Sequence, residues 1–228
     1  MKVLQVTDLR KTYGSGENAV HALKNASLTV QQGEFVAVTG TSGSGKSTFL
    51  NLIGGLDSPT SGEIWIKGRN IADLGRTEKT IFRRRNIGFV FQDYSLMPVL
   101  NVYDNVALPV SLDRRQRINH DYLREILTGL GLWEKRLNYP SQLSGGQQQR
   151  TAVARALANA PAIILADEPT GNLDSATTSE VLGLLKASAR KYNQTIIMVT
   201  HNEVLARSCD RMLWMKDGVL REAGEQDA

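Results

Sequence analysis

The chain has 228 residues, with 27 Lys and Arg against 23 Asp and Glu for a formal net charge of +4. At 41% hydrophobic and 22% charged it is too apolar for a disordered chain and has no compositional bias toward a fibrous one. Cys209 is the single cysteine, which excludes an internal disulfide; the first ten residues carry charges where a secretion signal needs an apolar stretch, and no apolar run nears the roughly 20 residues that span a bilayer.

In chain order, Val3 to Leu9 and Ala26 to Val30 read as strands, with a turn at Gln31-Gln32-Gly33-Glu34. The apolar run Phe35 to Val38 reads as a buried strand that leads into a Gly-rich loop. Phe49, Leu52, Ile53 and Leu56 then recur at helical spacing. The segment Asp57 to Gly62 breaks that helix. Glu63 to Lys67 and Asn86 to Phe91 are further strand candidates, expected in an antiparallel sheet beside the core. From Asp93 to about Asn159 the texture is helical; Leu123, Ile126, Leu127 and Leu130 mark one amphipathic helix ending at Gly131. A second helix follows the Gly145-Gly146 pair and runs to about Ala158. Beyond it the order is strand (162–166), helix (around Leu182 to Leu185), strand (195–199), with both strands continuously apolar as strands buried on two faces are. Arg211 to Met215, a turn at Asp217-Gly218, and Val219 to Arg221 form a closing hairpin. Basic residues cluster only at Arg83-Arg84-Arg85 and Arg114-Arg115. Lys79 and the arginine triplet read as a solvated helix face, and no nucleic-acid partner is expected.

Two stretches carry chemistry on their own. Gly40-Thr41-Ser42-Gly43-Ser44-Gly45-Lys46-Ser47-Thr48 is a Walker A loop between a strand and a helix. Its glycines let several backbone N–H groups converge on phosphates, and the helix adds its positive end. Lys46 should reach the β- and γ-phosphates, and the Ser47 hydroxyl should bind Mg²⁺. Ile163 to Glu168 is the matching Walker B strand. Asp167 at its end is suited to Mg²⁺, and Glu168, one residue on, can face the attacking water as general base.

A third stretch, Leu143-Ser144-Gly145-Gly146-Gln147, resembles the signature motif of ATP-binding cassette proteins, and the resemblance covers essentially the whole chain. It implies an α/β fold: a P-loop NTPase (RecA-like) core with an antiparallel β subdomain (1–92 and 159–228) and an inserted α-helical subdomain (93–158) carrying the signature, together one domain over 1–228. It implies ATP and Mg²⁺ as ligands. It also implies a second, like subunit whose Ser144, Gly145, Gly146 and Gln147 contact the γ-phosphate of the first, most simply as an ATP-sandwiched homodimer. Tyr13 resembles the aromatic that stacks on adenine. Gln92 resembles the glutamine that senses Mg²⁺ and the attacking water. Asp174, in Asn172-Leu173-Asp174, resembles the loop that crosses the dimer interface, although Gly171-Asn172 replaces the commoner Ser-Ala. His201 resembles the histidine that contacts the γ-phosphate.

The resemblance also implies a membrane permease docking near residues 93–100, and hence a cytoplasmic place on the inner face of the membrane. The run 166–174, Gly16-Glu17-Asn18 and a short tail after Gly218 are similar to the group serving lipoprotein release, macrolide export, bacitracin-type peptide resistance and cell division. The expected function is the ATPase subunit of a bacterial exporter or mechanotransmission system for peptide antibiotics, lipoproteins or similar amphiphiles. The alternatives are an ATP-driven regulator of cell-wall or division machinery and, last, a soluble cassette protein of DNA repair or translation. The last is disfavoured by the single Walker A loop.

Overall fold

The computed structural model describes residues 1–113 and 116–222; the Arg114-Arg115 pair and the end of the tail lie outside them. A long antiparallel hairpin opens the chain, β1 (Lys2–Tyr13) with β2 (Val20–Gln31). The free side of β1 takes β4 (Ser61–Ile66), to which the two-residue β5 (Arg69–Asn70) adds. The other strands are β3 (Phe35–Thr39), β6 (Ile87–Val90), β7 (Ile163–Asp167), β8 (Thr195–Val199), β9 (Arg211–Lys216) and β10 (Val219–Glu222). Their order across the sheet is β5-β4-β1-β2-β10-β9-β3-β8-β7-β6. From β9 to β6 every pairing is parallel, whereas β5, β4, β1 and β2 are antiparallel. β10 joins the halves, antiparallel to β9 and parallel to β2 at Val219–Asn25.

The inner parallel strands β3, β7 and β8 are almost wholly apolar because both faces are covered. In β3, Val36 and Val38 face a cluster with Phe49, Leu50, Leu52 and Ile53 of α1 (Lys46–Ile53) and with Leu4, Val6, Ile64 and Ile66 of the antiparallel strands. Phe35 and Ala37 face the opposite cluster. That second cluster takes in α3 (Val102–Ser111), α4 (His120–Gly129), α5 (Gly145–Leu157) and α6 (Ser175–Lys191). The helical segment therefore shares one continuous core with that face of the sheet. Short polar side chains start these helices: Asn101 accepts from the Asp104 N–H at 2.8 Å and Asn119 from the Tyr122 N–H at 3.0 Å, filling orphan donors of the first turn. α2 (Arg76–Asn86) and α7 (Glu203–Arg207) complete the helices.

Three expectations are corrected. The 86–91 strand does not join the antiparallel sheet: β6 pairs in parallel with β7, Ile87 opposite Ile163 and Val90 opposite Ala166. Leu56 lies beyond the end of α1 and is 47% exposed, so it is not part of that helix's buried face. Lys79 and the arginine triplet are not a solvated face. Lys79 donates to the Ser58 hydroxyl (3.0 Å), Arg83 to the Gly55 carbonyl (2.8 Å), Arg84 to the Leu112 carbonyl, and Arg85 to the buried Asp113 carboxylate (2.9 Å to Oδ1). These bonds fasten α2 to the loop after α1 and to the segment after α3. Partners so distant in sequence are invisible to a local charge pattern.

Candidate functional site

The site forms where β3, β7 and β8 end. The loop 40–45 leaves β3 and α1 begins at Lys46, so the first N–H groups of α1 open toward the same side as the ends of β7 and β8. Two glycines permit this turn. Gly40 has φ 146°, and a Cβ there would stand 2.1 Å from the Met215 carbonyl. Gly45 has φ 107°, and its Cβ would stand 2.5 Å from the Ala22 carbonyl. Neither position accommodates a side chain. The Lys46 ammonium donates to the carbonyls of Gly40 (2.9 Å) and Thr41 (2.7 Å), and the Ser44 carbonyl accepts from the Gly218 N–H (3.0 Å).

Ser42, Gly43, Gly45, Lys46, Ser47 and Thr48 line a cavity of about 590 Å³, which Glu168 and His201 close from the other strands. The sequence reading thus brings together the loop, Glu168 and His201. It missed three charged or titratable residues in the same wall: His21 and Lys24 on β2, and Asp217 in the β9–β10 turn. Nothing local to those residues signals a pocket; the closing hairpin carries Asp217 there.

Asp167 and Glu168 diverge as the strand ends. The Oδ1 of Asp167 is buried with no hydrogen-bond partner among the described residues. Burial raises the Asp167 pKa above the ordinary carboxylate value and the Glu168 charge adds to this, while Ser47 and Lys46 pull it back. An orphaned carboxylate oxygen beside a serine hydroxyl and the P-loop is a donor set that fits a hard divalent cation. Glu168 adopts φ 46°, which turns its side chain from Asp167 toward His201. His201 Nδ1 stands 2.8 Å from Glu168 Oε2, and the His201 N–H lies 3.4 Å from the same oxygen.

Gln92, Asp174 and the 144–147 turn lie outside the cavity wall. The Gln92 side chain donates to Asn172 Oδ1 (3.3 Å), and Asn172 Nδ2 returns a bond to the Gln92 carbonyl (2.9 Å). Asp174 caps α6, accepting from the Thr177 N–H (2.9 Å) and hydroxyl (2.8 Å); these bonds lower its pKa. Ser144 caps α5 in a reciprocal box with Gln147, Ser144 Oγ accepting from the Gln147 N–H (3.3 Å) and Gln147 Oε1 from the Ser144 N–H (3.0 Å). Gly146 packs α5 against α6, with Thr177 in the place of any side chain. Tyr13 is 42% exposed and donates to Asp57 Oδ2 at 2.8 Å.

The loop after Gln92 forms one wall of a second cavity of about 610 Å³. Its lining is mostly apolar, including Leu56, Phe89 and Met97, with Arg83, Arg84 and Arg155 as the charged residues among the described ones. Arg155 of α5 donates to the Tyr94 carbonyl at 2.9 Å, so this loop is bonded to the signature helix. Met97 and Val99 are 46% and 74% exposed.

A Gly-rich loop feeding Lys46 and the α1 N-terminus, with a carboxylate pair at the end of a parallel neighbour strand, defines a P-loop nucleoside triphosphatase. The family described as ABC transporter matches residues 23–171. The bacitracin export ATP-binding protein BceA of Halalkalibacterium halodurans is 42% identical over 219 residues, covering 96% of this chain and 87% of that protein. The macrolide export ATP-binding/permease protein MacB of Syntrophobacter fumaroxidans is 45% identical over 226 residues, 96% of this chain but 31% of that longer protein. Among solved structures, the dimeric post-hydrolysis state of the cassette MJ0796 bound to ADP and Pi superposes with a TM-score of 0.85 at 43% identity, covering 99% of this chain and all of that one. The chain belongs to the ABC transporter family. It is an ATP-binding cassette that hydrolyses ATP.

Proposed function

We propose that the chain is the energising subunit of a membrane complex that exports, or acts mechanically on, peptide antibiotics, lipoproteins or similar amphiphiles, and that it works as an ATP-sandwiched homodimer. The observation that carries the paired site is the separation of the two nucleotide motifs. Lys46, Glu168 and His201 share one cavity, while Ser144 to Gln147 present the start of α5 outside its wall. A helix N-terminus flanked by small residues is an anion site that lacks an anion of its own chain. A second copy supplies one. The relatives support the rest: BceA is named for bacitracin export, MacB joins such a cassette to a permease, and MJ0796 is dimeric with ADP and Pi.

Within each site the residues divide the labour. The loop N–H groups and Lys46 bind the β- and γ-phosphates, Lys46 exchanging its bonds to Gly40 and Thr41 for phosphate oxygens. Ser47, Asp167 and Gln92 would hold Mg²⁺, the Gln92 side chain being bonded to Asn172 in this structure. The cation, when bound, neutralises charge that develops on the phosphate oxygens. Glu168 accepts a proton from the attacking water, and His201 holds the Glu168 carboxylate and faces the γ-phosphate. Tyr13 stacks on adenine, Asp174 shapes the loop crossing the interface, and the N–H groups at Ser144 to Gln147 of the second copy complete the electrostatic cage. Residues 93–158 act as the helical subdomain of one cassette domain.

The permease docks in the apolar cavity beside residues 93–100, bringing an apolar segment with acidic or neutral polar flanks to meet the three arginines. No helix of the described residues is long and apolar enough to cross a membrane. We place the chain on the cytoplasmic face of the membrane, held by its permease, from its likeness to ATP-binding subunits such as BceA.

Subunit mixing tests the paired site. Lys46→Ala and Ser144→Arg chains should each be inactive alone. Their mixture contains heterodimers with one intact site and should regain ATPase activity, up to about a quarter of the parent's for random pairing of independent sites. Absence of recovery at every mixing ratio, with heterodimers present, contradicts the shared site.

A further inference from the structure

Asp57 has no part in the chemistry above, yet three groups converge on it. The Tyr13 hydroxyl donates to its Oδ2 at 2.8 Å. The Lys11 ammonium donates to its Oδ1 at 2.8 Å and to the Ser58 carbonyl at 2.8 Å. The Ser58 N–H donates to Oδ1 at 2.6 Å. The triangle closes through the ring, since the Lys11 ammonium lies 4.7 Å from the Tyr13 centroid. Lys11 is 12% exposed at its side chain, so this cation is a packed element of the loop. Thr48, in the wall of the nucleotide cavity, sits beside the same phenol oxygen. Burial and the Asp57 carboxylate raise the Tyr13 pKa, which keeps the hydroxyl a donor at neutral pH. On the other partner, burial opposes ionisation of Asp57, but the bonds from Lys11, Tyr13 and Ser58 prevail and its pKa is lowered, so the acceptor stays charged.

An exposed tyrosine at a strand end is a poor platform unless something stops its ring from swinging. Fixing one such side chain at the moment of binding weakens affinity by about two- to ten-fold. Here the ring is fixed beforehand at both ends: the hydroxyl by Asp57, one face by Lys11. Tyr13 stays 42% exposed, which leaves ring surface open to a planar base. We propose that Asp57 is a positioning residue for base recognition, holding Tyr13 in its stacking orientation. This rests on the reading of Tyr13 as the adenine platform. Asp57 acts only through Tyr13 and touches no phosphate, so its effect should be confined to ligands that carry a base.

The test compares ATP with inorganic tripolyphosphate, both with Mg²⁺, by calorimetric titration of the full chain. Tyr13→Ala and Asp57→Ala should each weaken ATP about three- to ten-fold and leave tripolyphosphate unchanged. The double variant should be no weaker than Tyr13→Ala, and Asp57→Asn, which keeps an acceptor for the hydroxyl, should lie closer to the parent than Asp57→Ala. If Tyr13→Ala weakens ATP and Asp57→Ala does not, the positioning role is overturned while the platform survives. If Tyr13→Ala leaves ATP unchanged, the platform reading itself fails. Loss of tripolyphosphate binding in Asp57→Ala and Asp57→Asn alike shows a general disturbance of the loop and also overturns the proposal.

Discussion

Gly146 packs α5 against α6, and one substitution pair tests that packing. A Cβ at Gly146 would stand 2.5 Å from Thr177 Cγ2, about 1 Å inside normal carbon contact. Thr177 cannot swing aside cheaply, because its N–H and hydroxyl are both bonded to Asp174 at 2.9 and 2.8 Å. Overpacking of this kind costs about 1–3 kcal/mol, and the helix propensity gained by alanine returns at most about 1 kcal/mol. Gly146→Ala should therefore destabilise the chain by about 1–2 kcal/mol, lowering Tm by about 2–8 °C for a domain of this size. Thr177→Ser removes the offending methyl and keeps the hydroxyl on Asp174. The pair Gly146→Ala/Thr177→Ser should recover most of the loss, with a coupling of about 1 kcal/mol in urea unfolding. ATPase activity should recover together with stability, since the added Cβ points at Thr177 of its own chain. Additive stabilities in the cycle would refute the packing argument.

Three further outcomes follow from the site. Lys46→Ala should reduce ATP turnover by a factor on the order of 10² or more, because Lys46 is the lysine whose ammonium is held on the loop carbonyls of Gly40 and Thr41; steady-state kinetics check it. Glu168→Gln keeps the fold and the phosphate loop, so it should bind ATP, turn over about 10²–10⁴-fold more slowly and accumulate dimers with Mg-ATP on gel filtration. Asp167 has a raised folded pKa, so its ionisation weakens the metal-free fold as pH rises through the unfolded value of about 3.9 and beyond. Asp167→Asn should thus raise the Tm of the metal-free chain at pH 8, and the gain should fade below the unfolded value of about 3.9; a lowered Tm at pH 8 contradicts the strained carboxylate.

The phosphate loop was legible because its signal is consecutive in sequence: buried strand, glycines, Lys46, then an apolar helix stripe. Glu168 and His201 were legible because each follows an apolar parallel strand, and parallel strands end together. Ser144 and Gln147 stood out as a family motif, and the capping box between them is what the structure adds. What escaped is non-local. Ile87 to Val90 is apolar like any two-faced strand, but only the Ala156 carbonyl, 2.5 Å from where a Gly88 Cβ would sit, and the edge of β7 tell which sheet it joins. His21 and Lys24 reach the cavity on β2, and Asp217 reaches it through the late β9–β10 hairpin, far from the loop in sequence. The arginines of α2 looked solvated because their acceptors, Gly55, Leu112 and Asp113, lie 28 residues away in each case.

A crystal structure of Glu168→Gln grown with Mg-ATP tests the central claim most directly. The account predicts a two-fold dimer in which the γ-phosphate held by Lys46 of one protomer lies about 3 Å from the Ser144 Oγ or the Gly146 N–H of its partner. A fully liganded chain whose γ-phosphate meets groups of its own protomer alone, in every assembly in the crystal and as a monomer in solution, would contradict it.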